Sequence, residues 1–449
     1  MGTGTISPAR ECAYAVVRRV FEHDAYADRA FHAQARDLDG RDRAFAMALA
    51  YGTVQRKATL DHVVRLLADR PPDALDPPVL AALRLGLMQV LLLGGVADHA
   101  AVHESVELAK RDGRRGAGLV NAVLRRATRE GQRIIDALDD ATPAQAAVMH
   151  SVPVWLAELW WRELGADRAR ALLAAVNQPP ESAVRVNALA LDVDVDVATV
   201  AAGLGVASHP APGIPEGLVL EEPFDAHGAP QWARGELMPQ SRGSMLVARA
   251  LAPRPGERVL DLCAAPGAKT THLAALMGDQ GELVAVERHP GRADALRRTL
   301  QRMHVTRAAV RTADATDIAP DAAVAGGAGA AGAAGAAGED RYDRVLVDPP
   351  CSGLGTLQSR PDVRWRTSPD RIAQLAPQQS RILAAGAGAT APGGVLVYSV
   401  CTISAAESEA VVDGFVAEHP RWEVDAIRRT APDVDGTDGF FIATLRHHG

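Results

Sequence analysis

The chain has 449 residues, more than one domain usually contains, so two or three domains are expected. Its net charge of −7 argues against a general affinity for nucleic acid, but residues 1–133 carry 20 Arg and Lys against 16 Asp and Glu. The longest apolar stretch, 79–96, is interrupted by Arg84 and Gln89 and falls short of a membrane span. With no secretory signal pattern at its start, the sequence predicts a cytoplasmic protein without a membrane partner.

Residues 1–138 are expected to form an all-helical domain, because apolar residues recur at helical spacing and no alternating strand pattern is present. Residues 110–133, called the basic run below, contain eight basic and two acidic residues. Such a run is usually a solvated helix face, and the functional alternative is a surface that contacts RNA phosphates. The arginines considered for phosphate contact are Arg114, Arg115, Arg125 and Arg126.

Residues 139–238 are expected to form a small α+β subdomain, with a helical stretch ending near Gln178 and a strand at 182–191. From residue 239 onward, strands and helices alternate, which predicts a parallel sheet with helices on both faces. Five strands are predicted in this part. Residues 321–340, which are mostly Ala and Gly, are expected to be a disordered insertion.

Small or acidic residues follow the first three predicted strands, where an open α/β sheet binds its ligands. After the first strand, residues 264–268 are small and precede a helix N-terminus; Glu287 and Asp314 follow the second and third strands. No GxGxxG motif is present, so the pattern favours an adenosine-containing ligand such as S-adenosylmethionine over a nicotinamide. The alternative is that both acids merely cap helices. The first turn would contact the ligand through Cys263, Ala264, Ala265, Pro266, Gly267, Ala268 and Lys269.

The four cysteines, at positions 12, 263, 351 and 401, show neither a CxxC pair nor metal-ligand spacing, so free thiols and no metal are expected. Cys351, in DRVLVDPPCSGLGT, and Cys401, in GGVLVYSVCT, end two similar apolar strands. A single cysteine at such a position is usually a small core residue. Two of them in matching positions favour a chemical role, whereas Cys12 is expected in the core and Cys263 as a backbone contact.

The segments DLCAAPGAKT, VDPPCSGLGT…RPDVRW and YSVCT…E resemble the motifs of the RNA 5-methylcytosine methyltransferases. Residues 8–135, notably AVHESVELAK and LVNAVLRR, resemble NusB-type RNA-binding domains, and the combination is similar to the RsmB (Sun/Fmu) subfamily. The resemblance implies a Rossmann-like class I methyltransferase domain at 239–449 that uses S-adenosyl-L-methionine as co-substrate. It also implies a monomeric enzyme acting on a cytosine of 16S ribosomal RNA before assembly is complete. The alternatives are the same chemistry on tRNA and a non-catalytic, NusB-like antitermination factor.

The resemblance also implies roles for the two thiols. C5 of cytosine becomes nucleophilic once a thiolate adds to C6. By motif, Cys401 attacks C6 and Cys351 assists release of the product, while Asp348 hydrogen-bonds the N3/N4 edge of the base and borders the co-substrate. A thiolate at Cys401 needs a nearby cation or helix N-terminus, and Lys269 is the candidate cation.

The chain departs from the family pattern at four positions. PGAK replaces PGGK and places Ala268 at the second glycine, which is tolerable if φ is negative there. SVC replaces STC at Val400, QSRGS replaces QDEAS and loses an acid at Ser241, and Glu287 stands where Asp is commoner. None of these changes removes a predicted catalytic group.

Overall fold

The computed structural model describes residues 6–112, 116–191, 196–222, 224–318 and 341–448. These form two compact units, Met1–Gln178 with Leu357–Ser368, and Pro179–Thr356 with Pro369–Gly449. The predicted insertion at 321–340 lies outside the described residues. Among the helices in the described ranges, none is long and apolar enough to cross a lipid bilayer.

The first unit is helical, as the sequence predicts. Its helices are α1 (Pro8–Glu22), α2 (Ala27–Gln34), α3 (Gly40–Gln55), α4 (Lys57–Ala68), α5 (Pro77–Leu87), α6 (Asp98–Arg111), α7 (Ala117–Arg126), α8 (Gln132–Asp136), α9 (Pro143–Met149), α10 (Val154–Leu164) and α11 (Ala166–Ala175). Local signals explain several of their starts: two prolines begin α5, and the Asp39 carboxylate accepts the backbone N–H of Asp42 at the start of α3. One-turn π segments, Met88–Leu92 and Ala127–Gly131, extend α5 and α7.

The interior of this unit is built from the apolar stripes of α1, α3, α4, α5 and α7. Leu49, Leu60 and Leu83 have no exposed surface. Arg84, which interrupts the long apolar stretch, is buried beside them, and its Nε and Nη2 donate to the Asp61 carboxylate at 2.7 and 2.9 Å. A buried guanidinium is tolerated because this pairing replaces its contacts with water.

The second unit begins with a small antiparallel sheet in the order β2-β3-β1-β4. Its strands are β1 (Ser182–Val186), β2 (Ser208–Ala211), β3 (Ile214–Leu220) and β4 (Leu237–Pro239). The middle region of the chain therefore contains both helices and strands. Helices α9 to α11 of this region belong to the first unit, and the antiparallel sheet belongs to the second.

The main sheet has seven strands in the order β10-β11-β9-β8-β5-β6-β7. They are β5 (Arg258–Leu262), β6 (Glu282–Val286), β7 (Ala308–Arg311), β8 (Tyr342–Val347), β9 (Thr390–Val400), β10 (Trp422–Thr430) and β11 (Phe440–His447). The five predicted strands, β5 to β9, are parallel. Strand β11 adds antiparallel to β9, and β10 adds antiparallel to β11, so the prediction of a parallel sheet holds for β5 to β9 while the complete sheet is mixed.

The remaining helices follow along the chain, and all of them except the one at Val363–Arg366 belong to the second unit with the two sheets. They are α12 (Val197–Ala202), α13 (Pro230–Ala233), α14 (Arg242–Leu251), α15 (Ala268–Leu276), α16 (Pro290–Arg302), α17 (Val363–Arg366), α18 (Pro369–Ala389), α19 (Glu409–Glu418) and α20 (Pro432–Asp435). Since β5 to β9 are parallel, the residues that follow them emerge at one edge of the sheet. That edge collects every strand-end residue singled out from the sequence.

Helix α17 lies within the segment Leu357–Ser368, which belongs to the first unit although the chain on both sides of it belongs to the second. Arg364 on this segment is fully buried. Its Nη1 donates to Asn177 Oδ1 at 2.9 Å, and its Nη2 donates to the Val176 carbonyl at 3.1 Å. The indole of Trp365 donates to the Val54 carbonyl at 2.7 Å. The helical unit is therefore completed by residues that lie far along the chain.

Candidate active site

The two cysteines singled out from the sequence meet at the ends of adjacent parallel strands. Strand β8 pairs with β9 up to Val347 opposite Tyr398. Cys351 lies four residues beyond β8, and Cys401 directly follows β9. Their Sγ atoms are 3.4 Å apart, and neither cysteine is in a disulfide. Strand pairing thus brings together two residues that are fifty positions apart in sequence.

The surroundings of the pair distinguish the two sulfurs. The hydrogen bond to Cys401 is the largest cause that raises the pKa of the Cys351 thiol, followed by burial and then by the negative charges of Cys401, Glu407 and Asp348. Cys351 therefore keeps its proton and can donate it toward Cys401 across the 3.4 Å contact. A hydrogen bond donated to a thiolate stabilises that thiolate, so the arrangement favours negative charge on Cys401.

Asp348 lies at the centre of a short polar chain at the end of β8. Its Oδ2 accepts from Lys269 Nζ at 2.7 Å, and its Oδ1 accepts from the Ser399 hydroxyl at 2.8 Å. Burial disfavours the Lys269 ammonium, but the charge of Asp348, its hydrogen bond to Lys269 and the smaller contributions of the Cys401 and Asp261 charges together raise the pKa of Lys269. The attraction between Lys269 and Cys401 acts on both groups. A thiolate at Cys401 stabilises the Lys269 ammonium, and the ammonium equally stabilises the thiolate.

The turn between β5 and α15 is shaped by backbone conformation. Gly267 has φ +109°, and a Cβ there would lie 2.8 Å from Leu296 Cδ1, so both conformation and space require glycine. Ala268 is the first residue of α15, where φ is negative, which meets the condition set for replacing glycine by alanine. Burial and the charges of nearby acids raise the pKa of Cys263 to about 12, which leaves its thiol protonated and chemically quiet.

These residues fit the adenosine-bearing co-substrate that the sequence suggests. Gly267 is the N-cap of helix α15 and has no side chain to cap it, so the first N–H groups of the helix face the turn. Glu287 is buried at the end of β6; its carboxylate accepts the His289 N–H at 2.9 Å and meets Arg292 Nε at 3.2 Å. Each carboxylate oxygen can accept two hydrogen bonds, so Glu287 retains capacity for the hydroxyls of a ribose.

Asp314 lies in a more exposed position than Glu287. Its Oδ1 accepts from the backbone N–H and the hydroxyl of Thr316 at 3.0 and 2.8 Å, and these bonds lower its pKa. Arg288 Nη1 is 3.6 Å from the other oxygen. One oxygen of Asp314 therefore caps the local turn, as the alternative interpretation expects. The other oxygen lies near the Arg288 guanidinium instead.

Two other departures from the family pattern occupy structural positions. Ser241 precedes α14, and its hydroxyl accepts the Ser244 N–H at 3.4 Å, so it caps the helix as an aspartate would. Val400 has no exposed surface and packs in the core beneath the sheet edge. Neither change alters a polar group at the cysteine pair. Cys12 is also buried in a core, as predicted.

The basic run is only partly described, because Arg114 and Arg115 lie outside the described residues. Arg125 and Arg129 are exposed on the surface of the first unit. Arg126 is engaged within that unit: its Nη1 donates to the Leu67 carbonyl at 2.7 Å, and its Nη2 meets Glu130 at 3.2 Å. Arg125 and Arg129 are more exposed than Arg126, and each makes one local hydrogen bond, from Arg125 Nε to Asn121 and from Arg129 Nη1 to the Arg125 carbonyl.

Sequence reasoning assigned no role to two buried acids at this sheet edge. Asp261 is buried in β5, where the Thr270 hydroxyl donates to it at 2.7 Å and burial raises its pKa to about 7. Glu407 is fully buried near both cysteines, and the sequence shows it only as an acid without a role after Cys401. Two sequence features could have identified these acids. Asp261 interrupts an otherwise apolar strand, and Glu407 follows a cysteine motif.

Three family models and several known proteins match this chain. A family model described as 16S rRNA methyltransferase RsmB/F matches residues 248–446, a NusB family model matches 7–129, and an RsmF/B-like ferredoxin-like domain matches 152–227. The Synechocystis protein "Probable ribosomal RNA small subunit methyltransferase B" is 36% identical over 98% of this chain and 99% of its own. "Ribosomal RNA small subunit methyltransferase B" of Thermus thermophilus is 36% identical over 90% of this chain and 89% of its own. A crystal structure of PH0851 has the same fold, with TM-score 0.80 and 24% identity over 98% of this chain and 99% of that one.

Proposed function

The chain belongs to the RsmB/F family of 16S rRNA methyltransferases, and from this premise we propose that it methylates C5 of a cytosine in 16S rRNA through a covalent adduct. The observation that carries the proposal is the pair of thiols, 3.4 Å apart, beside the Lys269–Asp348 ion pair. In the same proposal, residues 1–138 bind the RNA, residues 239–449 carry the catalytic residues, and the enzyme acts as a cytoplasmic monomer.

The first step is nucleophilic addition. The Cys401 thiolate, stabilised by the Cys351 thiol and the charge of Lys269, forms a bond to C6 of the target cytosine. Asp348 is placed to hold a proton at N3 or the amino group of the base, which stabilises the charge that the ring gains. A target base must leave its stack to reach Cys401, so a loop or partly assembled RNA is the preferred substrate.

Bound S-adenosylmethionine supplies an electrophilic methyl group, which C5 takes up once the adduct has formed. The turn at 263–268 and the start of α15 would hold this co-substrate, with Glu287 at its ribose and Asp314 at its adenine. Lys269, at the beginning of α15, bonds to Asp348 just after β8, and the charge of Cys401 also acts on its ammonium, so this ion pair connects the turn with the cysteine pair.

Release of the product follows from the same electrostatics. Once the sulfur of Cys401 is bonded to carbon, it is a neutral thioether. Its hydrogen bond with Cys351 is then weaker and its negative charge is gone, so both raise the pKa of Cys351 less than before. Cys351 can then lose its proton to solvent and remove the proton from C5. The electron pair of that C–H bond restores the C5–C6 double bond and expels Cys401 as a thiolate.

The direct test is methylation of defined RNAs. The purified protein is incubated with S-adenosylmethionine and either protein-free 16S rRNA or total tRNA, and 5-methylcytosine is located by bisulfite sequencing. A single new 5-methylcytosine in 16S rRNA and none in tRNA is the expected result. Methylation of tRNA alone would support the same chemistry on a different substrate, and RNA binding without methylation would support a non-catalytic factor.

A further inference from the structure

Glu407 is a carboxylate with no exposed surface, in the turn Ala405–Glu407 that follows Cys401. Acidic side chains are rarely buried so completely unless hydrogen bonds replace their contacts with water. Glu407 meets this requirement on both oxygens. Its Oε1 accepts the Ser352 backbone N–H at 2.8 Å and the Gln379 side-chain amide at 3.0 Å. Its Oε2 accepts the hydroxyls of Ser352 and, at 3.1 Å, Thr402.

The donors to Glu407 come from the residues next to the two cysteines. Ser352 follows Cys351, Thr402 follows Cys401, and their hydroxyl oxygens are 2.8 Å apart. Gln379 on α18 contributes from a third direction, since its amide also donates to the Pro350 carbonyl at 2.9 Å. The Glu407 carboxylate thus hydrogen-bonds both the loop after β8 and the loop after β9.

We propose that Glu407 is a positioning residue for the reaction: its carboxylate fixes the Cys351 loop against the Cys401 loop and so holds the two sulfurs in register. The inference rests on the proposed function for its consequence in catalysis, but the geometry it describes is independent of any substrate. Glu407 acts on the two loops through its hydrogen bonds with Ser352 and Thr402.

The two cysteines depend on Glu407 to different degrees. Cys401 directly follows β9, an interior strand paired with β8 on one side and with β11 on the other, up to Val400 opposite Phe441. Cys351 lies on a loop that has already left the sheet. The Gly355 N–H donates to the Cys401 carbonyl at 3.0 Å, but Gly355 is itself four residues beyond Cys351. Loss of Glu407 should therefore displace Cys351 and leave Cys401 in place.

This asymmetry predicts which step fails. With Cys401 in position, addition to C6 continues; with Cys351 displaced, removal of the C5 proton slows. Glu407→Ala should therefore accumulate a denaturant-stable RNA–protein adduct, and multiple-turnover methylation should fall by about tenfold or more. Glu407→Gln keeps an acceptor for the Ser352 N–H and an amide for the two hydroxyls, so it should stay within about threefold of the wild type.

A second measurement needs neither RNA nor methyl donor. Diamide takes two electrons and two protons from a pair of thiols and is reduced to the hydrazine, while the sulfurs form a disulfide. The rate of the Cys351–Cys401 disulfide, measured by mass spectrometry of the linked peptides, reports how well the sulfurs are held together. Glu407→Ala should slow this rate by about tenfold relative to the wild type, because the effective concentration of one thiol at the other falls.

The matched control is Glu409→Ala, which removes an acid two residues away that contacts Ser408 and Arg429 instead of the cysteine loops. It should leave disulfide formation and product release unchanged. If folded Glu407→Ala, with normal thermal midpoint and co-substrate affinity, forms the disulfide and releases product at wild-type rates, the inference is wrong. If Glu407→Ala does not fold, Ser352→Ala replaces it; a slowing of about threefold supports the proposal, and no change overturns it.

The two assays separate this inference from the proposed function. A protein that methylates no cytosine, yet shows slower disulfide formation in Glu407→Ala, would refute the proposed function and leave the positioning role intact. A protein that forms 5-methylcytosine through an adduct, yet whose Glu407→Ala variant matches the wild type in both assays, would refute only the positioning role.

Discussion

The basic run of the first unit and the sheet edge of the second use charge in opposite ways. In the basic run, Lys110 pairs with Glu107 and Arg111 with Glu11, but the two basic side chains are 48% and 58% exposed. At the sheet edge, the Lys269 side chain is 16% exposed and bonded to Asp348. Exposed pairs contribute little and can exchange a carboxylate for a phosphate, whereas a buried group that loses its partner costs several kcal/mol.

This contrast predicts where a single substitution matters. At the sheet edge, each polar group has a defined partner, so one change should alter a specific step of the reaction. On the helical surface, each charge adds a small and interchangeable amount to RNA affinity. The predictions below test this contrast, beginning with the largest expected effect.

Substitution of the cysteines should give the largest and most specific effects. Cys401→Ala should lower methylation by more than about 1,000-fold and form no adduct, because the nucleophile is gone. Cys351→Ala should also stop turnover but accumulate a covalent RNA–protein complex, because addition proceeds and elimination does not. Denaturing gel electrophoresis of labelled RNA distinguishes the two outcomes. A stable complex with Cys401→Ala and none with Cys351→Ala would reverse the two roles.

Removal of the buried cation should come next. Lys269→Met removes a positive charge that favours the Cys401 thiolate, so a higher pH is needed to form it, and methylation at pH 7 should fall by about tenfold or more. The rising limb of kcat/KM against pH should move upward by about one pH unit. Lys269→Arg keeps the charge and should restore the limb in part. An unchanged pH profile for Lys269→Met would show that the cation does not act on the nucleophile.

The strand-end acids should affect co-substrate binding rather than chemistry. Glu287→Ala and Asp314→Ala should each weaken S-adenosylmethionine by about 1–3 kcal/mol, the cost of leaving buried polar groups unpaired. The more buried Glu287 should lie at the upper end of this range and the partly exposed Asp314 at the lower end. Isothermal titration calorimetry measures both. Unchanged affinity in both variants would place the ligand elsewhere.

The exposed arginines should have the smallest effect per residue. Arg125→Glu and Arg129→Glu should weaken RNA binding and reduce the slope of log affinity against log salt by about one for each phosphate that is no longer neutralised. Arg162→Glu, an exposed arginine on α10 outside the basic run, is the matched control. S-adenosylmethionine affinity should not change in any of the three. Equal salt slopes for all of them would identify the run as a solvated face.

Local sequence patterns predicted the parallel core of the second unit but not its antiparallel edge. Strands β5, β6, β8 and β9 end in buried apolar runs, which the sequence shows directly, whereas β7 is only partly buried and was predicted from its position in the strand–helix alternation. Strand β10 is the last strand of the sheet, and most of its residues, including Arg428 and Arg429, are exposed. A solvated edge strand such as β10 has no apolar run by which the sequence would reveal it. Its pairing with β11 is determined by tertiary structure rather than by local sequence.

The site was predictable to the extent that its residues lie in motifs. Cys351, Cys401 and Asp348 were singled out from the sequence, and the structure brings them together because their strands are neighbours. The sequence suggested Lys269 only as a cation for Cys401, and its direct bond to Asp348 needed the fold. Glu407 could not be placed, since its role depends on donors from three separate segments.

The segment 357–368 has a consequence for how the protein is made. Arg364 and Trp365 complete the helical unit, yet they are translated 186 residues after Gln178, at which the unit's main segment ends. At usual rates of synthesis, the nascent helices must wait on the order of ten seconds for the segment to emerge. During that interval the carbonyls of Val54 and Val176 lack the donors that they meet in the finished protein. A ribosome-bound chain stalled before residue 357 should therefore be cut by protease within this unit far more readily than one stalled well beyond residue 368.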